Sequence, residues 1–410
     1  MKTVVKGKYL VDVINGNIIE DVHIIIEDGK IVDIKENSQN KYDDEETIII
    51  DCGDNTLMPG LVDAHLHASL NSKREEPISL QHSQPPVVKV LRGYNSLKQD
   101  LYAGVTTVRL LGDGDGMIDK YLRDAVKEGL IEGPRILAAI QAIRPSHGTA
   151  AGIGVIADGI DEVRKKVRET IFLGADVIKL FISNVSQGDS FLDYLKGDLT
   201  GIAAYTKEEI KVAVDTAHSV GLKVSAHCIG GPAIRWALEA GVDSLEHVNL
   251  LEEEDIKYFL DTNSYICDPN LILFFDDEIG FESQGNKSHK WDELPEWWHE
   301  KVYIAREKTQ NVMKKALAEG VKFALATDLN HGLLWKEAKY FIEKLGATNA
   351  QALKAITING AELCGLENEI GSVNIGKYAD IISVQGNPLT DISALKNVSL
   401  VMKEGRVIKK

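Results

Sequence analysis

Eight short apolar runs recur through the middle of the chain: "GLVDAHLH", "GVTTVRLL", "PRILAAIQAI", "ADVIKLFIS", "LKVSAHC", "VDSLEHV", "SYICDP" and "VKFALATD". Each reads as a buried strand, and helical patterns lie between most of them. "TKEEIKVAVDTAHSVG" opens on a capping box, Thr206 with Glu209, and closes at Gly221. "DGIDEVRKKVRETIFLG" closes at Gly174, and "GPAIRWALEAG" has Pro232 in its first turn. Eight strands with intervening helices over about 300 residues predict an α/β protein, a (β/α)8 barrel of the TIM type.

The two chain ends have a different texture. The first 58 residues alternate in short β patterns, with Asp28-Gly29 as a hairpin signal. "GSVNIGKYADIISVQG" and "VSLVMKEGRVIKK" repeat that character, with Glu404-Gly405 in a similar turn. The expected organisation is a small β-sandwich domain from 1–58 and 366–410 beside a barrel over 59–365. A total of 410 residues suits that division. One stretch is not barrel-like. Residues 270–300 hold Trp291, Trp297 and Trp298 in a long connection after the seventh strand, either a lid or a packed excursion.

Polar residues punctuate the apolar strands. His65 and His67 end the first, and their i, i+2 spacing puts both imidazoles on one face. Lys179 lies inside the fourth, His227 ends the fifth, His247 the sixth and Asp328 the eighth. In such barrels the chemistry sits at the C-terminal ends of the strands. A lone His is an ordinary core residue, and a lone Asp caps helices. A buried Lys is rare, because an unpaired ammonium in an apolar site is strongly disfavoured. Together the six form a metal-ligand set. Imidazole and carboxylate suit zinc and similar divalent ions. Four His and one Asp hold two ions if something bridges them. A neutral lysine amine that adds CO₂ becomes such a bridge, and burial favours the neutral amine.

Bulk properties exclude other classes. A formal net charge of −16 leaves no large basic surface for nucleic acid. Cys52, Cys228, Cys267 and Cys364 are scattered with no CxxC pair, so reduced thiols are expected. No apolar run reaches about 18 residues, so no membrane span is expected. The opening "MKTVVKGKYLVDVINGN" has no signal-peptide core, and a cytoplasmic protein is expected.

The set resembles the amidohydrolase superfamily of metal-dependent hydrolases. "HLH" after "MPGLVDA", the lysine of "GADVIKLF", "AHC", "EHVNLL" and "ATD" carry the likeness, and "KYADIISVQGNPLTDI" resembles the closing strands of that family's β domain. "LYAGVTTVRLLG", "GLIEGPRIL" and "YTKEEIKVAVDTAHSVGLKVSAH" are most similar to the prolidase-like and arginine-carboxypeptidase-like branch, close to imidazolonepropionase. The resemblance implies a binuclear hydrolase of dipeptides or N-acyl amino acids that uses a hydroxide bridging two divalent ions, with zinc the expected metal. It implies that His65 and His67 hold the more buried ion, His227 and His247 the second, and carboxylated Lys179 both. Asp328 would contact the buried ion and shuttle the proton. It also implies substrate contacts from His147, in "RPSHGTAAG", and Tyr205, in "AAYTKEE".

Alternatives from other classes stay open. A mononuclear cyclic-amide hydrolase or aminohydrolase would lack the bridging lysine, and deaminases add a Glu where Gly230 stands. Lactone, ester or organophosphate hydrolysis could use the same site, and a scaffold protein would have lost the ligands. The expected partner is a small-molecule substrate, with no nucleic acid and no membrane. A homo-oligomer is expected because such barrels commonly associate.

Overall fold

The computed structural model describes every residue except 1, 37–41, 43–45, 114–115, 187, 189 and 285–289. Five strands come first: β1 (Lys2–Asp12), β2 (Asn17–Glu27), β3 (Lys30–Lys35), β4 (Ile48–Asp51) and β5 (Thr56–Pro59). The central strands are β6 (Leu61–Leu66), β7 (Val105–Leu110), β8 (Arg135–Ala138), β9 (Ala142–Arg144), β10 (Gly154–Ile156), β11 (Val177–Phe181), β12 (Lys223–Gly230), β13 (Ser244–Leu250), β14 (Tyr265–Cys267) and β15 (Lys322–Ala324). The chain closes on β16 (Ile381–Val384), β17 (Val398–Lys403) and β18 (Arg406–Lys409).

The two chain ends do pair. They form one mixed eight-stranded sheet in the order β18-β17-β16-β5-β1-β2-β3, with β4 also on β1. The join is the antiparallel pair of β5 with β16, from Thr56 opposite Val384 to Pro59 opposite Ile381. Both expected hairpin turns are present. Asp28 and Gly29 have φ of 50° and 79°, and Glu404 and Gly405 have 49° and 74°. Paired positive φ values match the twist of antiparallel strands, which is why these sequences turn here. Val5, Leu10, Ile24, Leu57, Ile381 and Met402 bury the apolar side of this sheet.

Every central pairing is parallel, in the orders β6-β7-β8 and β10-β9-β11-β12-β13-β14-β15. Backbone bonds also link the two sets. Asp328 N donates to His65 O (2.9 Å) and His67 N to Asp328 O (3.0 Å) at one edge, and Asp176 N donates to Ala138 O (2.9 Å) at the other. The third apolar run differs from expectation, because it is two strands. Gln141 N turns back to Ala139 O at 2.7 Å around Ile140, which has φ 65°. That tight turn lets β8 pair with β7 while β9 pairs with β11.

The helices start and stop where their caps demand. Thr206 and Glu209 form the capping box of helix Lys207–His218. Pro232 opens helix Pro232–Ala240, and Gly241 closes it at φ 96°. Of the 270–300 segment, residues 285–289 lie outside the described residues. The rest forms the short helix Leu271–Phe275, a turn at Trp291–Glu293 and the entry to the long helix Glu296–Glu319. Trp298 is buried with Leu195, Leu199, Ile229, Phe274 and Val302, and Trp291 stacks on His299 at 4.2 Å. Among the described residues, no helix is long and apolar enough to cross a membrane.

Candidate functional site

Five strands bring the six expected metal-ligand residues together. His65 lies in β6 and His67 just after it, Lys179 in β11, His227 in β12, His247 in β13, and Asp328 just past β15. None lies before the centre of its strand. The ring centres of His65 and His67 are 5.4 Å apart, His65 and His247 5.0 Å, and His227 and His247 5.0 Å. Asp328 Oδ1 sits 3.7 Å from His67 Nε2 and 4.0 Å from His65 Nε2. Donor atoms of His65, His67 and Asp328 lie within 4.8 Å of one another, as do those of His65, His247 and Asp268.

Lys179 is the exceptional member. It is 0 % exposed, its Nζ has no hydrogen-bond partner in the protein, and it lies 5.3 Å from the Phe181 ring centre. Burial lowers its pKa to about 8, against the opposing pull of Glu246. The imidazoles are pushed the same way. Burial and then the Lys179 charge bring His67 to about 3 and His247 to about 4. Burial also holds His65 and His227 well below the usual range. Neutral imidazole is the form that binds a metal ion.

Hydrogen bonds fix which ring nitrogen is free. His67 Nδ1 lies 2.7 Å from Gly112 O, and His247 Nδ1 lies 3.1 Å from Asp268 O. A carbonyl only accepts, so His67 Nδ1 carries the proton and its Nε2 is left to face the cluster. His247 Nδ1 also lies 2.8 Å from Asn270 Nδ2, so both neighbours hold that ring. His65 Nδ1 lies 2.9 Å from Glu246 Oε2 and 3.4 Å from Asp268 Oδ2. That contact assigns His65 Nδ1 to the carboxylates and its Nε2 to the Asp328 side, which favours the grouping with His67 over the grouping with Asp268.

The sequence reading missed the residues that support these ligands. Glu246 accepts from Arg109 Nη2 (3.0 Å), Ser225 Oγ (2.7 Å) and Ser244 Oγ (2.6 Å). Burial alone would raise its pKa, but Arg109 and His65 outweigh it and hold the carboxyl well below its usual range. Arg109 Nε donates to Ala64 O at 2.5 Å, which ties β7 to β6 beneath His65. Asp268 is fully buried with neither carboxylate oxygen hydrogen-bonded. The usable signal was a charge inside an apolar run: Arg109 in "TVRLL", Glu246 in "SLEHV" and Asp268 in "YICDP".

Backbone strain marks the same strand ends. His247 has φ 75° and Val248 44°, Asp268 48°, Asn270 56° and Asp328 54°. Successive strand residues normally face opposite ways. The left-handed backbone at His247 breaks that rule and lets Glu246 and His247 both reach the interior. Side chains held at such φ values cluster at functional sites.

Two expected residues are not brought to the cluster. The side chain of His147 is exposed, in a loop whose carbonyls at Pro145 and Gly148 are held by Arg144 Nη1. Tyr205 is buried in the main core, and its hydroxyl donates to Ala157 O at 2.8 Å. Its position just before a capped helix set its place: the Thr206 box fixes the backbone and turns the ring inward.

The model of the amidohydrolase family matches residues 56–408. Ochratoxinase from Aspergillus niger is 28 % identical over 386 residues, covering 86 % of this chain and 75 % of that one. Imidazolonepropionase from Alkaliphilus metalliredigens is 24 % identical over 428 residues, covering 96 % and 93 %. Among solved structures, a Xaa-Pro dipeptidase with bound methionine superposes over the whole of both chains with a TM-score of 0.85 and 28 % identity. A prolidase complexed with N-methylphosphonate-L-proline does so with 0.84 and 27 %.

Proposed function

The chain belongs to the amidohydrolase family, and we propose that it hydrolyses small amides, dipeptides or N-acyl amino acids, at a two-metal centre held by His65, His67, Lys179, His227, His247 and Asp328. The observation that carries this reading is Lys179. A fully buried amine with no protein partner, among four neutral imidazoles and Asp328, is costly unless something else occupies its reach. Addition of CO₂ to the neutral amine, with one proton released to solvent, turns it into an anion able to bridge two cations. The donor set fits zinc.

When bound, the two ions supply a water of lowered pKa and polarise the carbonyl. The protein's own residues do the rest. Gly112 O keeps His67 in the Nδ1–H tautomer, and Asp268 O with Asn270 Nδ2 holds the His247 ring in place. Asp328 would accept one proton of the attacking water and return it to the leaving nitrogen; the second proton of that water follows, so amide plus water balances against carboxylate plus ammonium. Relatives named as a Xaa-Pro dipeptidase, a prolidase and an ochratoxinase support an amide as substrate. The backbone links at both edges of the parallel strands support a closed (β/α)8 barrel over 59–365. The mixed sheet supports a β-sandwich domain of 1–58 and 366–410.

The test is metal analysis joined to a substrate screen. Purified zinc-loaded protein is expected to hold two ions per chain, to carry the mass of CO₂ on Lys179, and to cleave within a dipeptide or N-acyl amino acid library. One ion per chain with an unmodified lysine, and cleavage only of cyclic amides, would replace this reading by the mononuclear one that the imidazolonepropionase match favours.

A further inference from the structure

Asp328 stands on a loop, past the end of its strand. Residues 327–333 turn twice, with Asn330 N donating to Thr327 O at 2.8 Å and Leu333 N to Asn330 O at 3.2 Å. That loop runs beside the one that leaves β6 after His67. Ser72 N donates to Leu329 O at 3.1 Å, and Ser72 Oγ to Asn330 Oδ1 at 2.6 Å. Lower down, Asp63 of β6 accepts from Thr327 Oγ at 2.7 Å. The segment carrying Asp328 and the segment carrying His65 and His67 are therefore joined along their length.

His331 closes this joint. It is buried and lies three positions after Asp328. Its Nε2 lies 2.8 Å from the carbonyl of Leu70, three positions after His67. Its Nδ1 lies 2.7 Å from Asp100 Oδ2, on helix Pro86–Tyr102. Asp100 is buried as well, and its Oδ1 accepts from Gly332 N at 2.7 Å. Lys73 Nζ donates to His331 O at 3.3 Å. A backbone carbonyl only accepts, so Nε2 bears a proton. A carboxylate oxygen also accepts, so Nδ1 bears one too, and the ring is an imidazolium. Burial disfavours that charge, but Asp100, the Leu70 carbonyl and nearby Asp63 outweigh it and hold the ring above the usual histidine pKa.

We propose that His331 is a positioning residue: its ring, donating from both nitrogens, clamps the Asp328 loop to the loop after His67 and so sets the Asp328 carboxylate against the two imidazoles it faces. A buried ion pair is a poor source of stability, because desolvation of both charges offsets most of their attraction. What this one supplies is register. One rigid ring must keep Leu70 O and Asp100 Oδ2 in reach together, and Asp100 must keep Gly332 N. The distances at stake are 3.7 Å from Asp328 Oδ1 to His67 Nε2 and 4.0 Å to His65 Nε2. Displacing a reacting group by about 1 Å costs about 100-fold in rate. The inference rests on the amide-hydrolase reading for the reaction affected, but not for the clamp.

The experiment compares wild type with His331→Gln and Asp100→Asn. Nitrogen NMR of histidine-labelled protein at neutral pH is expected to show one ring, missing from His331→Gln, with protons on both nitrogens. Zinc-loaded His331→Gln is expected to lose about 10–100-fold in kcat on an N-acyl amino acid at wild-type metal content, with KM changed less than about threefold. Asp100→Asn keeps the shape and removes the counter-charge. It is expected to strip one proton from the His331 ring and to lower kcat about tenfold, and it carries the test if His331→Gln does not fold. The visible spectrum of cobalt-loaded protein is expected to shift in both variants. A wild-type His331 ring with one bare nitrogen would overturn the clamp. So would a lower melting temperature with kcat within about twofold of wild type and an unmoved cobalt spectrum. A wild type that cleaves no amide, yet whose cobalt spectrum moves with His331→Gln, defeats the amide reading and leaves the clamp standing.

Discussion

The mixed sheet from the chain ends and the parallel strands between them handle awkward backbone differently. In the mixed sheet, the side-chain-bearing residues with positive φ are Asp21, Asp28 and Glu404, and the last two sit in hairpin turns where that geometry is ordinary. Among the parallel strands they include Asn184, His247, Val248, Asp268, Asn270 and Asp328, within or just past the strands that carry the histidine cluster. Around the histidine cluster, Lys179 Nζ and both oxygens of Asp268 are buried without a hydrogen bond. Positive φ and unmet polar capacity around the proposed site are the pattern that strained functional sites show. On the proposed reading, the mixed sheet contributes stability and the parallel strand ends hold the chemistry.

The sharpest way to break that division is to change one carboxylate in the strained set. Asp328→Asn keeps the shape and removes the proton acceptor. Its kcat is expected to fall about 10⁴-fold or more, with the melting temperature close to wild type. A variant retaining a tenth of the activity would move the proton transfer elsewhere.

The converse test falls on the mixed sheet. Ile24 is fully buried among Val5, Leu57 and Met402. Ile24→Ala is expected to cost about 2–5 kcal/mol of stability, read from denaturant unfolding, with kcat per metal-loaded molecule unchanged. A large loss of kcat in the folded variant would mean that the sheet positions the site as well as supporting it.

The legibility of the sequence follows the same line. The nearness of the six candidate residues was readable because each is polar in an otherwise apolar strand, and parallel strand ends converge in space. Both hairpins were readable because Asp-Gly and Glu-Gly supply positive φ at once. What stayed hidden depended on packing. Glu246 sits next to His247, and regular alternation would point it outward; only the left-handed backbone at His247 turns it in. The break at Ile140 has no Gly or Pro to announce it. Tyr205 was misplaced because a motif fixes a residue's position in the chain, not the side of the backbone on which its ring packs.

Asp268 sharpens the comparison at smaller magnitude. It lies 3.4 Å from His65 Nδ1 and 3.6 Å from His247 Nδ1, between a residue proposed for one ion and a residue proposed for the other. Carboxylates behind ligand histidines orient the rings and raise their basicity. Asp268→Asn is therefore expected to weaken metal affinity by about 10–100-fold, measured by competition with a chelator, while leaving the fold intact. Unchanged affinity would make Asp268 a strained core residue with no bearing on the metals.

Tyr205→Phe gives the smallest effect. Its hydroxyl bonds to Ala157 O inside the core, so its loss leaves one buried carbonyl short of a donor. That costs about 1–2 kcal/mol, seen as a lower melting temperature. Its kcat is expected to stay within about threefold of wild type, because the removed group lies in the packing and touches none of the six. A kcat lowered more than about tenfold at equal metal content would bring the Tyr205 hydroxyl into the chemistry and end the separation between the packed core and the histidine cluster.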